Sequence, residues 1–269
     1  DCGITASEPL AAARAAGMEV IVTDHHAPQG ELPPADAIVH PALPGGSYLN
    51  ANLCGAGVAF KLAWAVARQH CGADKVDDRL KDFLLDATAL AALGTIADVV
   101  PLTGENRVLA RFGLHGLSGS KHPGIAALIE SVGLTGQALR AYHVAFVLGP
   151  RLNACGRMGH AAAAVELLMG TDPARSRRIA TALNKLNTQR QKVQREIAEA
   201  AEAQAVAAGC DDPACKAIVL ASPDWHGGVV GVVASRLVSR FHRPTVLIAL
   251  DDKGHGKCLY CGAEFVKVD

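Results

Sequence analysis

The stretch Met18-Glu-Val-Ile-Val-Thr23, followed at once by Asp24-His25-His26, decides the fold. Its β-branched run Val20 to Thr23 reads as a short strand covered on both faces. An Ala-rich helix over 7–16, stopped by Gly17, precedes it, and a second apolar run, Ala37 to His40, closes at Pro41. Gly- and Pro-rich loops separate these pieces, and helices are expected near 54–70 and 79–93. Strands alternating with helices imply an α/β protein built on a parallel sheet. In such sheets ligands collect at the carboxyl ends of strands, which is where Asp24, His25 and His26 stand.

Outward from there, residues 104–170 read as helical, with breaks expected at Gly116, at Gly133 and in a loop over 149–159. The longest helical candidate covers 173–208. Thr171 or Asp172 can cap it, Pro173 is tolerated in a first turn, and no Gly or Pro intervenes before Gly209. Ile179, Leu183, Leu186, Val193 and Ile197 form one stripe along it. A second α/β unit follows: strand 217–221, helix 228–241, strand 244–250. The expected organisation is a first domain over 1–172, a long connecting helix over 173–208, a partial second domain over 209–255, and an atypical tail over 256–269.

The chain has 269 residues, half of them apolar and 19% charged, which excludes a wholly disordered protein. No apolar run approaches the roughly 20 residues of a membrane span, so no membrane partner is expected. The formal net charge of zero conceals a strong asymmetry. Residues 140–195 hold 10 basic and 2 acidic side chains, whereas 1–139 hold 9 basic and 14 acidic ones. One concentrated positive segment can hold a polyanion on a chain that is neutral overall. Of eight cysteines only Cys258 and Cys261 have a metal-like spacing; the others read as small buried residues of a reducing, cytoplasmic compartment.

An acid beside two imidazoles offers oxygen and nitrogen donors suited to Mn²⁺ or Mg²⁺. Asp98 sits in the apolar run Gly94-Thr-Ile-Ala-Asp98-Val-Val-Pro-Leu102, where a carboxylate needs a cation or backbone amides to offset burial. Asp1 opens Asp1-Cys-Gly-Ile-Thr-Ala6, another acid before a turn and a helix.

Together, DCGITA at 1–6, IVTDHH at 21–26 and GTIADVVPL at 94–102 resemble three motifs of the DHH phosphoesterase superfamily, whose members hydrolyse phosphate esters with two divalent metals, usually Mn²⁺. The resemblance implies that Asp1 bridges two metals, His25 and Asp98 bind one of them, His26 contacts the scissile phosphate, and Asp24 supports the histidine pair. Three further stretches extend it: Leu53-Cys-Gly-Ala-Gly-Val-Ala-Phe-Lys-Leu62, Leu148-Gly-Pro-Arg-Leu-Asn-Ala-Cys-Gly-Arg-Met-Gly159, and Trp225-His-Gly-Gly-Val-Val-Gly-Val-Val-Ala-Ser-Arg236. They are similar to the superfamily's single-strand-specific 5′→3′ DNA exonucleases of repair and recombination. In that branch Arg151, Asn153, Arg157, Arg178, Arg190 and His226 are expected to contact single-stranded DNA, within or beside the basic segment. The implied partners are single-stranded DNA, with a helicase and a single-strand-binding protein, acting on a monomer. Two other readings stay open: a phosphoesterase of short oligonucleotides or cyclic dinucleotides, and a catalytically dead DNA-binding protein.

The departures are specific. The family's first, Asp-rich motif is not found ahead of Asp1, and the later motifs of the second domain do not follow residue 255. The chain is therefore expected to be a piece of a longer enzyme, inactive alone. Its end, with His255, Cys258 and Cys261, supplies three of the four ligands of a zinc site, and zinc is not expected there.

Overall fold

The computed structural model describes residues 1–257 and 263–266. The protein is α/β, with two compact units. The first comprises Asp1–Gly149 and Thr171–Ser176, the second Pro150–Gly170 and Arg177 onward. Residues 150–170 thus group with the second unit, where the sequence reading puts them with the first.

In the first unit, α1 (Ser7–Ala15) leads to strand β1 (Ile21–Thr23), which pairs in parallel with β2 (Ala37–Val39), Ile21 opposite Ala37. The strand is shorter than expected and is not covered on both faces: Val22 is buried, but Ile21 is 67% exposed. Helices α2 (Gly55–Cys71), α3 (Asp78–Ala97), α4 (Gly104–Ser118) and α5 (Pro123–Glu130) follow, then a π-helical segment over His143–Leu148. Helix α4 runs through Gly116 and stops at Gly119, so the expected break is absent. The buried face of α3 mixes small residues, Ala89, Ala91, Ala92 and Thr95, with Leu84, Leu93 and Ile96. A Cβ on Gly113 of α4 would collide with Ala92 and with the backbone of Thr88, so only glycine permits this close helix pairing.

Residues expected as a loop over 149–159 form helix α6 (Gly149–Met158). Pro150 is its second residue, in the first turn where the missing N–H costs nothing. Helices α7 (Ala162–Met169) and α8 (Pro173–Ala207) come next. In the second unit β3 (Ile218–Ser222) pairs in parallel with β4 (Thr245–Ala249), joined by α9 (Gly227–Phe241). Val229, Val233 and Leu237, four residues apart on α9, close a core with Ile197, Ala201 and Ala205 of α8, Ile218, Trp225 and Leu247. Strand β5 (His255–Lys257) pairs antiparallel with β6 (Glu264–Val266). Cys258 and Cys261 lie outside the described residues; His255 pairs through its backbone with Asp251.

Candidate metal centre and basic surface

The carboxyl end of β1 delivers Asp24 into the interior, where it is 2% exposed. Its Oδ1 accepts from the backbone N–H of His25 (2.7 Å) and His26 (3.1 Å) and lies 2.7 Å from His26 Nδ1. Its Oδ2 accepts from Ile4 N–H at 3.0 Å. Burial pushes this carboxyl up, but the four hydrogen bonds together outweigh it and hold Asp24 well below the usual carboxylate range. One buried side chain therefore ties the 1–6 turn to the 24–26 loop. Gly3, at φ 114°, makes that turn possible, and any side chain there would press on Val22.

With Nδ1 facing Asp24, His26 keeps Nε2 for an outside partner. The loop is braced from below by His40, which the sequence reading passed over as a strand end before Pro41. Its Nδ1 accepts from Ala42 N–H at 3.0 Å, so Nε2 carries the proton and donates to the His26 carbonyl at 2.9 Å.

His25 points the other way. Its Nε2 is 3.0 Å from Asp1 Oδ1 and 3.7 Å from Asp98 Oδ2. Burial pushes the His25 imidazole below its ordinary range against the pull of Asp98, favouring the neutral form that can act as a ligand. Donor atoms of Asp1, His25 and His26 all lie within 4.8 Å of one another. Asp98 is the residue that ends α3, with its N–H on the Gly94 carbonyl at 2.9 Å, and Val99 follows at φ 60°. A β-branched residue in that conformation is strained by about 1–2 kcal/mol, and the turn aims Asp98 back at His25. Gly55 at the start of α2 completes the wall: a Cβ there would collide with the Asp1 carboxylate. Gly55 lies in the quoted Leu53–Leu62 stretch, so its signal was present in the sequence without a stated role.

The cluster of mutually close donors is Asp1, His25 and His26, with Asp98, exposed, reaching only the His25 nitrogen at 3.7 Å. Oxygen and imidazole donors of this kind fit a hard divalent cation better than a thiolate-bound one. Without a cation the two acids would share a single, partly buried histidine. Cys54, the nearest thiol in sequence to Gly55, is engaged instead with Thr95 and the Gly57 N–H.

The second unit presents the basic residues in two states. Arg178 and Asn153 are exposed. Arg151 is half-buried, with Nε donating to Asn184 Oδ1 at 2.9 Å, and burial lowers its pKa. Arg190 donates to Asn187 Oδ1 (3.2 Å) and Gln194 Oε1 (2.7 Å); burial and the nearby Arg157 both lower its pKa. Arg157 is exposed and reaches the Gly228 carbonyl at 3.3 Å. His226 caps α9, its Nδ1 accepting from Gly228 N–H at 3.1 Å. A Cβ on Gly228 would collide with the Arg157 carbonyl, so α6 and the start of α9 touch backbone to backbone. Arg151, Arg157, Arg190 and His226 are thus set among Asn184, Asn187 and Gly228, none of which the sequence reading assigned.

Parallel strands with an Asp-His-His turn at the carboxyl end of the first, facing acids from two other loops, are consistent with an α/β fold of the DHH type. Residues 1–92 match the model of the DHH family, N-terminal domain. Beyond it, the chain is similar to the single-stranded-DNA-specific exonuclease RecJ. It is 43% identical to the Bacillus subtilis (strain 168) protein over 254 residues, covering 94% of this chain and 30% of that one. It is 38% identical to the Escherichia coli (strain K12) protein over 259 residues, covering 93% and 44%. Among solved structures, exonuclease RecJ bound to manganese superposes with a TM-score of 0.80 at 40% identity, covering 97% of this chain and 62% of that one. RecJ of Thermus thermophilus in complex with Mn²⁺ gives 0.80 at 41% identity, covering 95% and 36%; the same protein with Mg²⁺ gives 0.71 at 40%, covering 89% and 34%. The chain spans less than half the length of these curated relatives.

Proposed function

We propose that this chain carries the catalytic centre of a metal-dependent, single-strand-specific 5′→3′ DNA exonuclease of repair and recombination. The observation that supports it most is the approach of Asp1 and Asp98 to one nitrogen of His25, beside a histidine pair locked by the buried Asp24. Asp1, His25 and Asp98 would hold Mn²⁺ or Mg²⁺. When bound, the ions acidify a water and neutralise charge on the phosphoryl oxygens. His25 stays neutral and fixed by burial. His26, held through Nδ1, offers Nε2 to a phosphoryl oxygen without having to reorganise. Asp24 is already ionised and fully hydrogen-bonded, so it keeps the histidine loop in place and takes no proton.

On the second unit, exposed Arg178, Arg157, Asn153 and His226 contact the sugar-phosphate backbone. Arg151 and Arg190, whose N–H groups are partly taken up by amide partners, order that surface. Phosphate contacts carry no base information, consistent with a nuclease that accepts any sequence. The enzyme works as a cytoplasmic monomer with a helicase and a single-strand-binding protein. Six described cysteines are free thiols, as a reducing compartment requires, and among the described residues no helix is long and apolar enough to cross a membrane.

The test is product release. The protein containing this chain, given Mn²⁺ and 5′-labelled single-stranded DNA, should liberate labelled mononucleotide, and a duplex or a cyclic dinucleotide should not be hydrolysed. Hydrolysis of cyclic dinucleotides with intact single strands would replace the exonuclease reading by the small-substrate one.

A further inference from the structure

Helices α2, α3 and α4 of the first unit leave an apolar groove on their outer side. A cavity of about 540 Å³ is lined by Trp64 from α2, Leu85 from α3, and Val108 and Phe112 from α4. These four side chains are 41%, 61%, 53% and 65% exposed. Single exposed hydrophobics need no explanation, but a contiguous set across three helices marks an interaction surface. The groove cannot close by drawing α3 and α4 together, because they already meet at Gly113 without room for a Cβ. Leu85 lies 13 residues before Asp98 along α3, roughly 20 Å from the metal ligands at 1.5 Å per residue.

The α4 side of the rim is cationic, whereas the α3 side carries both signs, Lys81 and Asp86. Arg107, Arg111 and His115, spaced four residues apart on α4, form a line beside Val108 and Phe112. All three are exposed, and none makes an ion pair among the described residues. Lys81 stands on the α3 bank, one turn before Leu85. The acid of α4, Glu105, is already taken by Lys61 at 2.7 Å and Tyr48 at 2.5 Å.

We propose that this groove docks an amphipathic helix of a partner protein. Its apolar face seats on Trp64, Leu85, Val108 and Phe112, and its acidic residues face Arg107, Arg111 and His115. A helix in a groove reads i, i+3, i+4 and i+7 anchors, which suits a trough between parallel-lying helix faces. A nucleic-acid strand would use the cations but would leave the aliphatic and aromatic surface wet.

The experiment uses a fluorescein-labelled synthetic amphipathic helix of about 18 residues, five turns long, with Leu and Phe on one face and Glu flanking them. A twin carries Lys in place of each Glu. Fluorescence anisotropy with the protein should show the Glu helix binding at least about tenfold tighter than its twin. Phe112→Glu, at an exposed position, should weaken that binding by at least about tenfold without lowering the melting temperature. Arg107→Glu with Arg111→Glu should reverse the preference towards the Lys helix. Equal affinity for both helices, binding to neither, or full retention by Phe112→Glu would overturn the proposal. Two other results would do so as well. The paired Arg reversal could weaken a single-stranded oligonucleotide and leave the Glu helix unaffected, giving the stripe to nucleic acid. A dimer in solution that Phe112→Glu dissolves would give the groove to a second copy of this chain.

Discussion

The histidine loop of the first unit and the arginine surface of the second use charge in opposite ways. Around His25 a few ionisable groups are held close together, with Asp24 buried and both of its carboxylate oxygens accepting hydrogen bonds. On the second unit formal charge is plentiful, yet Arg151 and Arg190 commit part of their N–H donors to Asn184, Asn187 and Gln194. The lesson is that a residue's charge and its availability are separate quantities. The first region derives its chemistry from geometry that excludes alternatives. The second derives it from the subset of cations that structure has left free.

The largest effect should come from breaking the first region at its ligands. His25→Ala or Asp98→Ala should lower Mn²⁺-dependent release of mononucleotide by at least about 100-fold, since each removes several kcal/mol of charge stabilisation. Isothermal titration of Mn²⁺ should show weakened binding in parallel. Normal metal binding in Asp98→Ala would separate Asp98 from the centre and reduce the 3.7 Å contact to an ordinary surface pair.

Next comes the staple beneath the ligands. Asp24→Ala leaves three backbone N–H groups and His26 without their acceptor, and should destabilise the protein by about 3 kcal/mol. Its acid dependence follows from its sign. The folded carboxyl is held below the unfolded value, so its stabilisation is fully present above the unfolded pKa and is lost as pH falls through the folded one. Asp24→Asn should therefore show a flatter acid limb in urea-unfolding measurements than the wild type. An unchanged acid limb would mean the carboxyl is not ionised in the folded protein.

How far these regions were legible in the sequence follows the same division. Asp24, His25, His26 and Asp98 could be singled out because they stand at element ends, where a strand or helix stops and the alternation of faces no longer dictates a side chain's direction. The direction of each was not legible: that His26 turns to Asp24 and His25 to Asp1 depends on hydrogen bonds spanning 2 to 24 residues. His40 was hidden because a strand-terminal histidine carries no periodic signal. In the second unit the basic count was visible, but the tethering of Arg151 was not, since Asn184 lies 33 residues away. Gly149-Pro150 looked like a helix breaker because local propensity has no record of position within a turn, and Pro150 falls where its missing N–H is harmless.

Smaller effects should separate free from tethered cations. Arg178→Ala should lower the salt slope of single-strand binding by about one unit and leave the unfolding free energy within about 0.5 kcal/mol. Arg151→Ala should cost about 1 kcal/mol of stability through Asn184, with a smaller change in slope. Double-log plots of affinity against salt, beside urea titrations, read both. If the two variants proved alike in slope and stability, the distinction between the two states of arginine would be lost.

The smallest effect compares one strained residue from each unit. Among the described residues, Val99, after Asp98, and His242, which ends α9, are the two non-glycine residues with positive φ, at 60° and 54°. A branched Cβ crowds its own carbonyl in this conformation, whereas histidine visits it more readily. Val99 is 84% exposed and so recovers little of that strain through packing. Glycine removes the clash but loosens the unfolded chain, so the two terms partly cancel. Val99→Gly should still gain about 1 kcal/mol, raising the melting temperature by roughly 2–4 °C, and His242→Gly only a few tenths of a kcal/mol. Were Val99→Gly to destabilise instead, the Val99 side chain would be holding Asp98 through a contact worth more than its own strain, and the metal centre would extend one residue further along the chain.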